Sequence, residues 1–314
     1  MMTVRIIHPL YIIFISLVLM FVGSDYVKSQ SEITQTKLIL LGTGTPNADP
    51  EGSGSSLAIV VGGNSYIVDF GPGVVRRASA LSKQWGGKIE ALNANNLKLA
   101  FLTHLHSDHT AGYADLILTP WVLGRNIPLE VYGPKGLTQM TEDLLEAYRS
   151  DINYRLDGLE PANALGWQVN THEITEGVVF QDDLIEVTAF KINHGSWDNA
   201  FGYRFVTPDK TIVISGDTRP SQNLIRYSEG ADILVHEVYS QAGFDKKTEV
   251  WKKYHAAHHT STFELGEIAQ KIKPDLLVLH HILFWGATEE ELLDEISQIY
   301  DGLVSVGSDM MIYE

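Results

Sequence analysis

The chain has 314 residues, 44% of them apolar, enough for a substantial core in one large domain or two ordinary ones. Its 39 acidic residues outnumber 23 basic ones, giving a formal net charge of −16. With no Lys/Arg-rich run, it lacks the basic footprint that non-specific nucleic-acid binding requires. Cysteine is absent, which excludes a disulfide framework, a lipid-modified cysteine, a thiolate ligand and a thiol nucleophile.

In chain order, Leu10 to Phe21 is an uncharged apolar run preceded by Arg5 and His8 and followed by small polar residues. It is shorter than the ~20 residues of a spanning helix and reads as a secretory signal within residues 1–29, cleaved after Ser24 or Ser29. An uncleaved N-terminal anchor is the alternative. Either reading places the remaining chain, 30–314, outside the cytosol, secreted or periplasmic, with no membrane span after cleavage. Removing Arg5, Lys28 and Asp25 leaves 21 basic and 38 acidic residues, net −17.

Strands are predicted at 37–41, 57–61, 66–70, 97–102, 129–132, 185–192, 201–206, 211–215, 233–236 and 276–279. Helices are predicted at 72–83, 110–123, 137–150, 221–229, 260–272 and 289–300. Hairpin-linked strands (Gly62-Gly63-Asn64 is a turn) mixed with strand–helix alternation predict an α/β fold, two packed sheets with helices outside. No internal repeat, low-complexity tract or linker divides 30–314, so one domain is the economical reading.

The apolar run Leu97–Leu102 ends in Thr103-His104-Leu105-His106-Ser107-Asp108-His109, three imidazoles and a carboxylate in six positions. Such crowding at a strand–helix junction suits a divalent cation of the zinc type; a fortuitous polar loop is the bland alternative. Three more candidates follow apolar runs at positions where α/β proteins collect functional groups: His194, Asp217 and His281. Each alone reads as a hydrogen-bonded structural residue. Together with the cluster they make seven ligands, enough for two cations with an open position.

The ordered set LGTGTP (41–46), VDFG (68–71), THLHSDH (103–109), His194-Gly195, SGDT (215–218), VHE (235–237), HTST (259–262) and LHH (279–281) resembles the metallo-β-lactamase superfamily. Within it, the resemblance is closest to the branch of ribonuclease Z and the zinc-dependent alkyl- or arylsulfatase-like hydrolases. It implies a four-layer αββα sandwich with two metals, usually zinc. His104, His106 and His194 would hold one; Asp108, His109 and His281 the other; Asp217 would bridge them. Asp69 would support the metal-binding loop without binding metal. His281 is chosen over His280 by alignment with the family's last ligand, and His280 remains the alternative.

Two divalent ions about 3.5–4 Å apart hold a bridging hydroxide at neutral pH, the expected nucleophile, so no covalent intermediate is required. Asp108 would orient or accept the hydroxide proton. Glu237 and His259 match the branch's carboxylate-oriented imidazole; a Glu beside an imidazole favours its protonated form, making His259 the candidate acid. Alternatively, Thr260 and Glu264 are helix-start residues and His255, His258 and His259 a solvated polar segment. Trp121, Trp197 and Trp285 are candidates to shape a cleft, more often core residues; Arg219 would meet an anionic substrate or sit in a surface ion pair.

The resemblance also shows a departure. Ribonuclease Z carries a long arm between the His-Gly and Gly-Asp-Thr motifs, whereas here His194 and Asp217 are 23 positions apart. Some relatives carry the arm elsewhere. With the signal and the acidic charge, this sets the expectation of an exported hydrolase of small esters, aryl or alkyl sulfates or phosphodiesters, with nucleic acid an improbable partner. The alternatives are a ribonuclease Z-like nuclease or phosphodiesterase, a lactone or carboxylic ester hydrolase and, last, a non-catalytic metal-binding module. A homodimer is expected by analogy.

Overall fold

The computed structural model describes residues 35–314, so the segment read as a signal, with Ser24 and Ser29, lies outside the described residues. The strands are β1 (Lys37–Gly42), β2 (Ser56–Val61), β3 (Asn64–Val68), β4 (Leu99–Phe101), β5 (Leu129–Gly133), β6 (Val169–Glu173), β7 (Gly177–Gln181), β8 (Glu186–Lys191), β9 (Phe201–Val206), β10 (Thr211–Ile214), β11 (Ile233–Tyr239), β12 (Leu276–Leu283), β13 (Val304–Val306) and β14 (Ile312–Tyr313). The α-helices are α1 (Val74–Leu81), α2 (Ser107–Thr110), α3 (Tyr113–Val122), α4 (Leu137–Ala147), α5 (Arg149–Asp157), α6 (Gln222–Tyr227), α7 (Gln241–Asp245), α8 (Glu249–His258), α9 (Thr262–Ile272) and α10 (Glu289–Ser297).

Two seven-stranded sheets form, in the orders β14-β1-β2-β3-β4-β5-β6 and β13-β12-β11-β10-β9-β8-β7. Pairing is parallel from β3 to β6 and from β10 to β13, and antiparallel elsewhere. The four layers follow from period-two alternation of apolar residues on strands buried on both faces. Leu38 and Leu40 face the inter-sheet core with Val187, Phe205 and Ile212, while Ile39 and Leu41 face Val74, Ala78 and Leu116 of the outer helices. Val213 and Leu277 point the other way, against Leu224, Leu265 and Ile296 of α6, α9 and α10. The αββα expectation is met.

The predicted strands all form, with ends shifted by up to a few residues. The strands β6, β7, β13 and β14 and the helices α2, α5, α7 and α8 have no predicted counterpart. The four strands are short edge pieces with half-exposed or exposed residues, so they show little hydrophobic contrast. Between His194 and Asp217 the chain forms only a tight loop, the antiparallel pair β9–β10 and the loop after it, with no protruding arm. No helix among the described residues is long and apolar enough to cross a membrane.

A buried guanidinium corrects a fault in α3. Pro120 lies inside that helix and has no N–H for the Leu116 carbonyl. Arg125, 1% exposed, donates instead: Nη1 to Leu116 and Leu97 carbonyls at 3.0 Å each, Nη2 to Ile117 at 2.6 Å and Gly166 at 2.8 Å. Replacing it leaves several buried carbonyls unsatisfied, at about 1–3 kcal/mol each. Arg125→Leu should lose at least about 3 kcal/mol of stability by urea unfolding; an unchanged midpoint and slope would show that these bonds contribute nothing net.

Candidate metal centre

Strand ends deliver almost every site residue to one rim of the sandwich. Asp69 follows β3, the 103–109 segment joins β4 to α2, His194 follows β8 and Asp217 follows β10, while Glu237 lies in β11 and His281 in β12. In the β11–β12 register Glu237 pairs with His280 and Val238 with Ile282, so His281 is the extra residue of a bulge. Its backbone is left-handed, φ +48°. The bulge sends the two neighbours apart: His280 Nε2 donates to the Gly42 carbonyl at 2.9 Å, whereas His281 Nε2 lies 3.0 Å from Asp108 Oδ2 and 3.6 Å from Asp217 Oδ2.

Asp69, also at positive φ (+58°), braces the cluster from below. Its Oδ1 accepts from the Thr103 backbone N–H at 2.8 Å, and its Oδ2 faces His109 Nδ1 at 2.7 Å, turning Nε2 toward the centre. His194 is held by Nδ1–H donating to the His258 carbonyl at 2.9 Å. The turn that allows this needs Gly195: φ is +57°, and a Cβ would stand 1.9 Å from the His258 ring. His106 Nε2 accepts from the Trp197 indole at 2.8 Å, so its Nδ1 carries the ring hydrogen and faces His104 and His194 Nε2 at 3.0 and 3.2 Å.

The donors fit divalent cations. Ligand atoms about 2.0–2.2 Å from one ion stand about 3.2–3.6 Å apart. His109 Nε2 is buried with no hydrogen-bond partner and lies 3.6 Å from both Asp108 Oδ2 and Asp217 Oδ1, a separation too long for a hydrogen bond. Three groups have ligand atoms within 4.8 Å of one another: His104, His106, His194 and Asp217; Asp108, His109 and His281; and Asp217, His259 and His281. All seven sequence-assigned ligand candidates are therefore brought together.

The electrostatics divide the imidazoles. Burial lowers His104 well below its ordinary range, takes His194 to about 3 and lowers His106, so all three are neutral. His104 and His194 can turn a lone pair to the centre, and His106 does so once its hydrogen shifts from Nδ1 to Nε2 and the Trp197 bond is given up. For His109 and His281, burial also opposes the charge, but Asp217 heads the attractions that outweigh it, and both are raised. Asp217, despite burial, is held well below the carboxylate range, chiefly by His281 and His109. Those two protons occupy the place of positive charge beside Asp217.

Glu237 and His259 form a buried pair, Oε2 to Nδ1 3.3 Å, with Oε1 accepting from the Thr260 and Thr218 backbones. The expected charging of His259 by Glu237 is corrected here. Burial and then the Asp217 charge push Glu237 well up, and burial takes His259 down to about 4. The pair is neutral: Oε2 and Nδ1 stand 3.3 Å apart, and neither makes a hydrogen bond. Of the two helix-start candidates, Glu264 closes the capping box of α9 with Ser261 as N-cap, and Thr260 stands just before it.

The cluster opens into a cleft of about 650 Å³ lined by Asp108, Asp217, His259, Trp251, Tyr254 and Trp285 among others. Of the candidate tryptophans, Trp285 lines it and Trp197 touches His106, but Trp121 is core, donating to the Asn163 carbonyl. Arg219 is exposed, does not line the cleft and makes no ion pair among the described residues. The 249–258 segment is the helix α8, not a solvated polar stretch. The readable signal was Trp251, Tyr254, His255 and His258 at i, i+3, i+4 and i+7, one helical face.

A family profile described as "Beta-lactamase superfamily domain" matches residues 64–282. Ribonuclease Z of Mycobacterium sp. (strain KMS) is 32% identical over 249 residues, spanning 79% of this chain and 84% of that one. Ribonuclease Z of Mycobacterium bovis BCG Pasteur is 30% identical over 283 residues, 87% and 96% of the two chains. The chain belongs to the metallo-β-lactamase superfamily, in its ribonuclease Z branch. As a member it is a metal-dependent hydrolase of ester bonds. Among solved structures, the fold resembles the metallo-β-lactamase fold protein YhfI of Bacillus subtilis (TM-score 0.69, 19% identity, 89% of this chain, 100% of that one). It also resembles the short form of human tRNase Z (0.66, 22%, 88% and 98%). Matches to ribonucleases overturn the expectation that nucleic acid is an improbable partner, and none of those reported supports an arylsulfatase-like or exported enzyme.

Because cations must displace the protons on His109 and His281, zinc binding at pH 7 should release protons. Both groups titrate above their ordinary value, so apparent affinity should rise with pH through neutrality. Calorimetry in buffers of different ionisation enthalpy should read net proton release on zinc binding at pH 7; zero release would contradict the charge assignment.

Proposed function

We propose that this protein is a dinuclear-metal phosphodiesterase acting on RNA-type diesters. One observation carries the reading: two donor sets meet at the buried Asp217 on the floor of the cleft that His259 also lines. His104, His106 and His194 would hold one cation and Asp108, His109 and His281 the second, with Asp217 common to both. The all-nitrogen and oxygen set suits zinc. When bound, the pair of cations supplies a water activated at neutral pH and polarises phosphoryl oxygens.

The chain's own groups do the rest. Asp108, held at 3.0 Å from His281, is placed to accept the proton of the attacking water. Glu237, 3.3 Å from Nδ1, is placed to pass its proton there as Nε2–H goes to the leaving oxygen. The phosphodiester is preferred over the sulfate ester because the relatives of 30–32% identity are ribonucleases.

Initial rates of the zinc-loaded protein on bis(4-nitrophenyl) phosphate, 4-nitrophenyl sulfate and a diester with an alkoxide leaving group test this. Metal-dependent diester hydrolysis should dominate. Asp217→Ala should remove it, and His259→Ala should cost about 10²–10⁴-fold, most with the alkoxide. Faster sulfate hydrolysis, or an equal His259→Ala effect on good and poor leaving groups, would contradict the assignment.

A further inference from the structure

The cleft has one wall that the hydrolytic groups do not use. Helix α8 presents Trp251, Tyr254 and His255 to it, and Trp285 faces them from the loop after β12. The rings form a continuous surface: Trp251 stacks on His255 (centroids 5.6 Å, 23°), and His255 meets Trp285 at 4.4 Å. Lys247 Nζ sits 4.4 Å over the Trp285 ring and is the one Lys or Arg lining the cleft among the described residues. Trp285 takes a left-handed backbone, φ +46°, unusual for a bulky residue. The wall is also anchored, since the buried Glu295 carboxylate accepts from the Gln241 and Ala242 backbones at the start of α7 (3.0 and 2.8 Å).

Its position assigns it a side of the reaction. The His255 ring is 5.7 Å from that of His259, so the wall begins where the leaving group is protonated. Half of Trp251 (54%) remains exposed despite its aromatic neighbours, leaving a ring face for a ligand. About 650 Å³ holds one or two nucleotides and excludes a double helix. Aromatic faces beside a single cation match a planar base with a flanking phosphate, the chemistry by which single strands are bound.

We infer that Trp251, Tyr254, His255 and Trp285 form a leaving-group subsite that stacks one nucleobase of a single-stranded substrate, with Lys247 meeting that nucleotide's other phosphate. This rests on the phosphodiesterase reading and names its substrate class. In the step, the water oxygen bonds to phosphorus and the phosphorus–oxygen bond to the stacked nucleoside breaks. Asp108 takes the water's proton, and the nucleoside oxygen takes the Nε2 proton of His259 as Nδ1 takes the proton of Glu237, 3.3 Å away, so the ring stays neutral.

Calorimetric binding to the full, zinc-loaded chain reads the subsite independently of turnover. AMP should bind at least about tenfold more tightly than ribose 5-phosphate, which has the phosphate without the base. Trp251→Ala should erase that ratio and Trp251→Phe should retain it. Adenosine 3′,5′-bisphosphate should gain further over AMP, and Lys247→Met should abolish only that gain. Equal binding of AMP and ribose 5-phosphate, or a ratio unaffected by Trp251→Ala, overturns the subsite. Phenyl phosphate binding as tightly as AMP overturns the nucleoside and leaves a general aryl pocket. Failure here with intact hydrolysis of bis(4-nitrophenyl) phosphate removes this inference alone; a base preference without diester hydrolysis removes the reaction and keeps the subsite.

Discussion

The site is organised around a buried negative charge. Asp217 is 2% exposed, and both of its oxygens face imidazole nitrogens at 3.6–3.9 Å. Burying a carboxylate is costly unless positive charge or hydrogen bonds replace its water. Without a cation, that role falls to protons on His109 and His281. With cations, the same nitrogens become ligands and the protons leave. Asp69, the His258 carbonyl and the Gly195 turn all serve to aim ring nitrogens at this one position.

Much of this was legible in the residues. The three-imidazole run after β4, and His194 and Asp217 after β8 and β10, follow from the rule that strand ends gather functional groups. Strongly periodic strands such as β1 and β12 were readable because alternating apolar residues face two different cores. The choice between His280 and His281 was not readable from the residues alone: both follow the same apolar run, and only the bulge separates their directions. Nor could the state of Glu237 and His259 be read, because adjacency in a motif says nothing of how deeply the pair is buried. The edge strands lacked contrast for the same reason that they are edges.

The α8 side of the cleft wall was not legible for a different reason, although Trp285 was a candidate. Helix α8 buries none of its residues, so the usual search for a core-facing stripe passes over it. Its aromatic face is spent on the cleft. Where ribonuclease Z is expected to carry an arm between the two motifs, this chain has only the β9–β10 hairpin, and recognition falls to what the cleft itself presents. An acidic chain whose cleft presents one lysine among the described residues is suited to a short, single-stranded ligand held by stacking, since phosphate contacts alone would give little affinity.

The central claim is that seven side chains, six of them buried, are held together by two cations, with His281 and not His280 among them. Metal content per chain after zinc reconstitution and exhaustive dialysis tests this most directly, measured on the wild type, His280→Ala and His281→Ala. The account predicts two zinc ions in the wild type, two in His280→Ala and fewer than two in His281→Ala. A folded wild type retaining no zinc, or His281→Ala retaining two ions while His280→Ala loses one, would contradict it.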